Sequence, residues 1–561
     1  MLLLTLSLAC RPPEGPTDRR PVMVPIAAIN DFHASLWERT LEGRPEVAGG
    51  LPWLSAALGA LRADHPTLVV LDGGDTFQGD PPANATHGLA SAEAMNLLRL
   101  DAGAVGNHEF DHGEAAGAPG LRGAFERAAA ARRAPFLTAN VTDTSGARWA
   151  PENVLPWTII ERQGVKLGVI GLTTAETPQT TLAANVADLR FGDVVEATRA
   201  VLGDVRAAGA DAIVVVGHLT GSCKPKGLFE LPEATCTPDG EIGALLAALG
   251  DDIDVIVAGH AHTLLAGRYG DTFVVEGRSN GMVVNQVDLV FDADGLDTAA
   301  SVVHPPWALV HAPADPGCAG GAYPPEPRDV GGRMLAPDLA AAAVVAGLEA
   351  ESGIPLCERL GCAATRLGRD RARGSPLGEA VADAILAASP GADFAIQNAG
   401  GLRADLAVGD VRLRDVYGVM PFDNRVTVVE MDGAHVLELF RVGSSGGHGA
   451  LQVAGATYAY DPARTTGGDH DGDGAIADWE RDRLCGARVG GQPIDPAARY
   501  RVATTDFLVT GGDHLGGAFA GATTVSTGPW VRDALATWIR AQPACLAAAP
   551  STRVVVGTCA P

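Results

Sequence analysis

Residues 101–113 read DAGAVGNHEFDHG, a short apolar step followed by Asn107, His108, Glu109, Asp111 and His112 within six positions. A polar turn accounts for such a cluster, because Asn, Asp and Gly suit turns. A site at the mouth of a strand accounts for it equally well. What separates the two is whether other strand-like runs end the same way. VPIAAINDFHA (24–34) ends on Asp31 and His33, and TLVVLDGGD (67–75) ends on Asp75. DAIVVVGH (211–218) ends on His218, and DVIVAGHAH (254–262) ends on His260 and His262. In open α/β sheets, sites form where loops leave the carboxyl ends of strands. Five such endings point to one shared site.

The runs alternate with Ala/Leu-rich helical stretches such as LPWLSAALGALRA (51–63), ASAEAMNLLRL (90–100) and EIGALLAALG (241–250). That alternation predicts an α/β layered domain. HAPADPGCAGGAYPPEPRDVGG (311–332) has the composition of a linker, and APDLAAAAVVAGLEAE (336–351) reads as a connecting helix. A second mixed α/β domain follows. The expected division is 1–21 signal and tether, 22–305 first domain, 306–362 linker and helix, 363–530 second domain, and 531–561 C-terminal helix and tail.

With 561 residues the chain has room for two or three domains. Its formal net charge of −25 argues against duplex nucleic acid as a partner, since phosphate-backbone contacts need clustered Lys and Arg. Small phosphate substrates stay open, because a bound cation inverts the local field. MLLLTLSLAC (1–10) reads as an export signal of lipoprotein type with Cys10 as the lipidated residue, which places the protein in the periplasm or at the cell surface. No later run approaches the roughly 18 apolar residues of a membrane span. Eight cysteines remain after Cys10, an even set that suggests disulfides in an exported chain. The near neighbours Cys223/Cys236, Cys357/Cys362 and Cys545/Cys559 are the first pairings to consider among many.

Imidazole and carboxylate donors suit Zn, Mn, Co or Fe. Seven candidates are too many for one tetrahedral ion and suit two divalent ions bridged by a carboxylate, about 3.5–4 Å apart, as in phosphoester cleavage. NDFHA (30–34), GGDTFQGD (73–80), GNHEFDHG (106–113), GHLTG (217–221) and GHAHT (259–263), in that order, resemble the calcineurin-type metallophosphoesterase signature. Their continuation resembles the 5′-nucleotidase/UDP-sugar hydrolase family, over roughly residues 22–530.

The resemblance implies a four-layer β-sandwich flanked by helices, followed by an α/β substrate-binding domain. It implies Asp31, His33 and His262 on one ion, Asn107, His218 and His260 on the other, and Asp75 between them. His108 would face the phosphoryl group, with Asp111 orienting its ring, and metal-bound water would attack phosphorus in line. Glu109 would be structural. In the second domain NAGGLR (398–403) implies Asn398 and Arg403 as substrate-binding residues, and GRDRARGSPLGEAVADAI (368–385) implies Arg373 and Arg369. Phe422 and Phe507 would clamp a nucleobase, and Asp513 would contact base or ribose. Ala34 and Ala399 stand where the family has Gly, Ala399 at a position expected to need positive φ, and Glu379 where it often has Asn.

DHDGDGAIADWE (469–480) matches a calcium loop: Asp469, Asp471 and Asp473, the turn at Gly474, the Ala475 carbonyl and Glu480 would hold one Ca²⁺. It interrupts the expected strand pair LQVAGATYAY/YRVATTDFLV.

The reading is an exported two-metal phosphohydrolase acting on nucleotides, a 5′-nucleotidase. Its rivals are UDP-sugar hydrolysis, 2′,3′-cyclic nucleotide 2′-phosphodiesterase/3′-nucleotidase action, and a non-catalytic nucleoside-binding surface protein.

Overall fold

The computed structural model describes residues 21–41, 44–115, 117–118, 120–233, 236–314, 318, 323–470 and 475–559. The signal segment with Cys10, and Asp471, Asp473 and Gly474 of the acidic loop, lie outside the described residues.

Two sheets face each other in the first domain. One is built on the parallel strands β1 (Val22–Ile29), β2 (Val69–Asp72) and β3 (Ala102–Ala104), with Val283–Asp292 antiparallel beside β1. The other is built on β4 (Ala212–Leu219) and β5 (Val255–His260), parallel to each other and to Val165–Thr173 and Thr272–Gly277. Side-chain alternation sorts the layers. Val24, Ile26 and Ala28 of β1 point between the sheets, where they meet Val214, Val216, Val255 and Val257. Ala27 and Ile29 point the other way, onto Leu51, Leu54 and Leu58 of the helix Leu51–Asp64. Helices Val194–Ala207 and Gly240–Leu249 cover the outer face of the second sheet. The order is helix, sheet, sheet, helix. Strands buried on both faces read as continuous apolar runs, which is why the sequence shows them so clearly.

Inside the first sheet one ion pair is fully buried. Arg132 Nη2 lies 2.9 Å from Asp72 Oδ2, with the two side chains 1% and 0% exposed. Asp72 also accepts Thr76 Oγ1 (3.0 Å) and the Gly74 amide (3.2 Å), so the pair braces the loop carrying Asp75. Arg132→Met is expected to destabilise the domain by about 3–5 kcal/mol, because it leaves a buried carboxylate without its counter-charge. Urea unfolding measures this; a loss below about 1 kcal/mol would show that the brace is dispensable.

Residues 307–311 are stitched onto the first domain. Trp307–Ala308 pairs with Val283–Val284, and Val310–His311 pairs with Val47–Ala48. Helix Leu339–Ser352 starts where Asp338 caps the Ala340 and Ala341 amides and stops at Gly353, whose φ is 64°. Asp338 also accepts Ser55 Oγ at 2.6 Å, which ties the helix to the first domain.

The second domain is a five-stranded sheet in the order Gln452–Ala454, β6 (Phe394–Gln397), β8 (Arg499–Thr505), β7 (Arg425–Asp432), Thr523–Trp530. Helices Pro376–Ala387 and Val531–Arg540 pack on one face, and Gly433–Ser444 packs on the other. The C-terminal segment is integral to this domain: Val531, Leu535 and Ile539 enter its core, and Val554–Val556 pairs with Ala456–Tyr460. That strand's antiparallel partner is Leu484–Val489, not the later strand Arg499–Thr505, so the acidic loop closes a local hairpin.

The disulfides are Cys223–Cys236, Cys318–Cys357, Cys362–Cys545 and Cys485–Cys559. Of the near-neighbour pairings only Cys223–Cys236 stands. Cys357/Cys362 and Cys545/Cys559 are corrected, because the C-terminal segment folds back onto the second domain and brings Cys545 and Cys559 to distant partners. Among the described residues no helix is long and apolar enough to cross a membrane.

Candidate active site

The carboxyl ends of β1 to β5 converge. Asp31 and His33 follow β1, Asp75 follows β2, Asn107 and His108 follow β3, His218 lies near the end of β4, and His260 and His262 lie at the end of β5. Two donor clusters result, Asp31–His33–His262 and Asp31–Asp75–His218, each with its ligand atoms within 4.8 Å of one another. Their backbones are unusual: Asp31, His33, Ala34, Asp75, His260 and His262 all have φ between 46° and 88°. Asp and His enter this region more readily than most residues, but six together store strain that marks a functional turn. Ala34 takes φ 46°, so the missing glycine leaves a conformational penalty there of about 1 kcal/mol. Ala399 is different. It lies in a short 3₁₀ turn (Ala399–Gly401) and not among the positive-φ residues, so that substitution is harmless and the expectation is corrected.

The side chains point with fixed polarity. His218 Nδ1 donates to the Gly73 carbonyl (2.9 Å), which directs Nε2 at Asp75 Oδ2 (3.1 Å) and Asn107 Oδ1 (3.0 Å). Asn107 Nδ2 donates to Thr180 O (3.0 Å), which turns its Oδ1 toward His218 and His260 Nδ1 (3.1 Å). His33 Nε2 and His262 Nε2 stand 3.0 Å apart, with Asp31 Oδ1 3.1 Å from the latter. Asp75 Oδ2 reaches both halves, 3.1 Å from His218 and 3.8 Å from His33. Donors about 2.0–2.1 Å from a shared tetrahedral ion lie about 3.3–3.4 Å from one another, so these separations fit a divalent cation in each half.

Charge gives the same indication. Burial drives His33 well below the ordinary imidazole range, and burial also lowers His262, which keeps both neutral as ligands must be. Burial works against charge on His218, yet the Asp75 and Asp31 carboxylates override it and push its pKa up to about 10. Two buried carboxylates thus demand positive charge at this spot.

Close packing permits the convergence. A Cβ on Gly106 would stand 2.1 Å from Asp75 Oδ1, and one on Gly259 would stand 2.9 Å from Asp31 Oδ2. Glu109 is buried and accepts the amides of Asp75 (3.0 Å), Thr76 (2.5 Å) and Gly106 (2.7 Å), so it organises the turn. Burial, then the Asp75 charge, push its pKa up to about 7.

His108 faces the opening. Its Nδ1 is 2.7 Å from Asp111 Oδ2, and Thr181 Oγ1 donates to Asp111 Oδ1 at 2.9 Å. Burial opposes protonation of His108, but Asp111 and Asp75 outweigh it and raise its pKa.

A cavity of about 640 Å³ runs from this cluster into the second domain. Its walls include Asp75, Asn107, His108, Asp111, His260 and His262 on one side, and Asn398, Arg403, Phe422, Phe507 and Asp513 on the other. Asn398 Nδ2 donates to Asp513 Oδ2 at 2.8 Å. Phe507 packs closely against Gly512, where a Cβ would stand 2.4 Å from the ring. The Phe422 ring centroid is 5.3 Å from that of His108.

Arg369 and Arg373 do not line this cavity; Arg371 does. Arg373 is 68% exposed and pairs with Asp370 (3.2 Å), while Arg369 Nη1 bonds the Leu402 carbonyl (2.9 Å). GRDRARG carries Arg at every second position, so a shift of two residues was invisible in the sequence. Burial, then Arg371 and Arg369, lower Arg403 to about 10, a concentration of positive charge that an anion would relieve. Glu176, which stands 3.7 Å from His260 Nε2, and His448 also line the cavity and carried no sequence motif. In the acidic loop, Glu480 accepts the His470 and Ala477 amides and so holds the described part of the loop together.

Residues 24–264 match the calcineurin-like phosphoesterase model, and residues 358–521 match the 5′-nucleotidase C-terminal domain model. Endonuclease YhcR of Bacillus subtilis is 24% identical over 500 residues, covering 86% of this chain but only 37% of YhcR. A probable 5′-nucleotidase of Treponema pallidum is 27% identical over 553 residues, covering 87% of this chain and 86% of that protein. In fold the chain is similar to a 5′-nucleotidase precursor from Thermus thermophilus, with a TM-score of 0.75, 24% identity and coverage of 96% and 99%. The chain thus carries a calcineurin-like phosphoesterase domain, which holds the converging donors, followed by a 5′-nucleotidase C-terminal domain, which forms the far wall of the cavity.

Proposed function

We propose that the protein is an exported nucleotidase that removes the 5′-phosphate of nucleotides. The observation that carries this reading is the single cavity joining the donor cluster and His108 to Arg403, Phe422, Phe507 and the Asn398–Asp513 pair. Asp31, His33 and His262 would hold one divalent ion, Asn107, His218 and His260 a second, with Asp75 shared. When bound, such a pair of ions supplies Lewis-acid polarisation of the phosphoryl oxygens and makes water acidic enough to react near neutral pH.

The chain's own groups do the rest. Arg403, with Arg371 behind it, draws the anionic phosphoester in. Phe422 and Phe507 hold the base, a contact of about 1–3 kcal/mol per stacked ring. Asn398 and Asp513 hold the sugar or the base edge. His108, oriented by Asp111, offers its Nε2 proton to the oxygen that departs as the phosphorus–oxygen bond breaks. Export is supported by four disulfides, which form and persist in oxidising compartments. Calcium in the acidic loop would stiffen it and take no part in the chemistry.

Hydrolysis of 5′-AMP, 3′-AMP, UDP-glucose and 2′,3′-cyclic AMP, followed by separation of the nucleotide and nucleoside products, tests the reading. A kcat/KM for 5′-AMP at least tenfold above the other three is expected. Preference for UDP-glucose or the cyclic substrate would replace the substrate assignment. Binding of adenosine without turnover of any of the four would favour a nucleoside-binding protein.

A further inference from the structure

Phe422 follows Pro421, and the Pro421 carbonyl is gripped from the other domain. Gln78 Nε2 donates to it at 2.8 Å, and Asn84 Nδ2 donates to it as well. Both donors are buried, Gln78 at 1% and Asn84 at 3% exposure. A carbonyl oxygen has two lone pairs, and here both are taken. A buried carboxamide that lost this partner would carry an unmet donor costing about 1–3 kcal/mol, so the position of Pro421 is tightly specified.

The segment that supplies the donors, a turn running into the short helix Pro81–Ala85, is itself held. It starts at Asp75, three residues before Gln78, whose backbone is tied down by Glu109. Asn84 Oδ1 accepts the Gly79 amide (3.0 Å), and Asp80 accepts the Leu36 amide (2.8 Å) and Arg39 Nη2 (2.6 Å). On the far side of Phe422, Asp423 pairs with Arg532. The ring is therefore fixed at both flanks and stands 5.3 Å from His108.

We infer that Gln78 and Asn84 are positioning residues that set the span between the phosphoryl end of the cavity and the Phe422 ring. They thereby select phosphoesters carrying a flat ring at a nucleotide's distance from phosphorus. The inference rests on the reading of Phe422 as a base-stacking ring. A segment that begins at Asp75 and reaches the carbonyl beside the stacking ring measures the substrate.

The test compares 5′-AMP with ribose 5-phosphate, which carries an anomeric hydroxyl in place of the base, for the wild type and for Gln78→Met with Asn84→Asp. The Asp oxygen still accepts the Gly79 amide while the donor to Pro421 is lost. The kcat/KM ratio of 5′-AMP to ribose 5-phosphate is expected to fall at least tenfold, with ribose 5-phosphate itself changing less than threefold. Amide exchange of residues 419–424 should quicken in the same variant. If the double variant does not fold, Gln78→Met alone should lower the ratio at least threefold. An unchanged ratio, or equal loss on both substrates, overturns the inference while leaving the nucleotide reading intact. A wild-type ratio near one defeats the base-stacking reading and the inference with it.

Discussion

Replacing Asp75 by Asn is expected to reduce phosphoester turnover about a thousandfold or more and to lower the divalent metal content of the purified protein. Asp75 Oδ2 is the oxygen common to both halves of the site, 3.1 Å from His218 and 3.8 Å from His33, while Oδ1 accepts the His108 amide at 2.9 Å. An asparagine has one oxygen for these two duties. If its oxygen stays with the His108 amide, an NH₂ that can neither bind a cation nor balance His218 points into the site; if it turns, the His108 turn loses its anchor. The expected loss exceeds the 10- to 100-fold typical when only an outer partner of a ligand is removed. Rates and metal content measured on one preparation check this. An Asp75→Asn protein that keeps two ions and a rate within tenfold of wild type would rule out the shared role.

His108→Ala should act differently. It is expected to lower kcat by about 10²–10⁴-fold, the range for loss of a positioned acid–base group, with KM nearly unchanged and both ions retained. The geometry supplies the reason. His108 lines the cavity and belongs to neither donor cluster, its Nδ1 being held by Asp111. Asp111→Asn should cost less, about 10–100-fold, because the ring stays but loses the carboxylate that fixes its tautomer. Loss of metal together with rate in His108→Ala would move His108 from chemistry to structure.

Much of this site was legible because its strands are buried on both faces. Their apolar runs end abruptly, and whatever follows gathers at the carboxyl ends of the sheets, so Asp31, Asp75, Asn107, His218 and His260 could be grouped before any coordinates. The left-handed backbone at Asp31, His33 and Asp75 was not legible, since Asp and His tolerate that conformation without a glycine to announce it. Arg371 was displaced by two positions because alternating arginines carry no register. The disulfides of Cys318, Cys362 and Cys485 join segments 39, 183 and 74 residues from their partners, and the last two are decided by the packing of the C-terminal helix and strand. The grip of Gln78 and Asn84 on Pro421 joins residues 343 and 337 positions apart across two domains, and amide side chains give no pattern that would pair them with a distant carbonyl.

Phosphoester cleavage here is held to need two divalent ions that share Asp75. The most direct measurement is to strip the protein with a chelator, titrate back Mn²⁺, Zn²⁺ or Co²⁺, and follow bound metal and phosphate release from 5′-AMP together. The expected result is an inactive stripped protein, two ions bound per chain at saturation, and activity that returns as the sites fill. Full activity in protein almost free of metal, or saturation at a single ion with full rate, would contradict it.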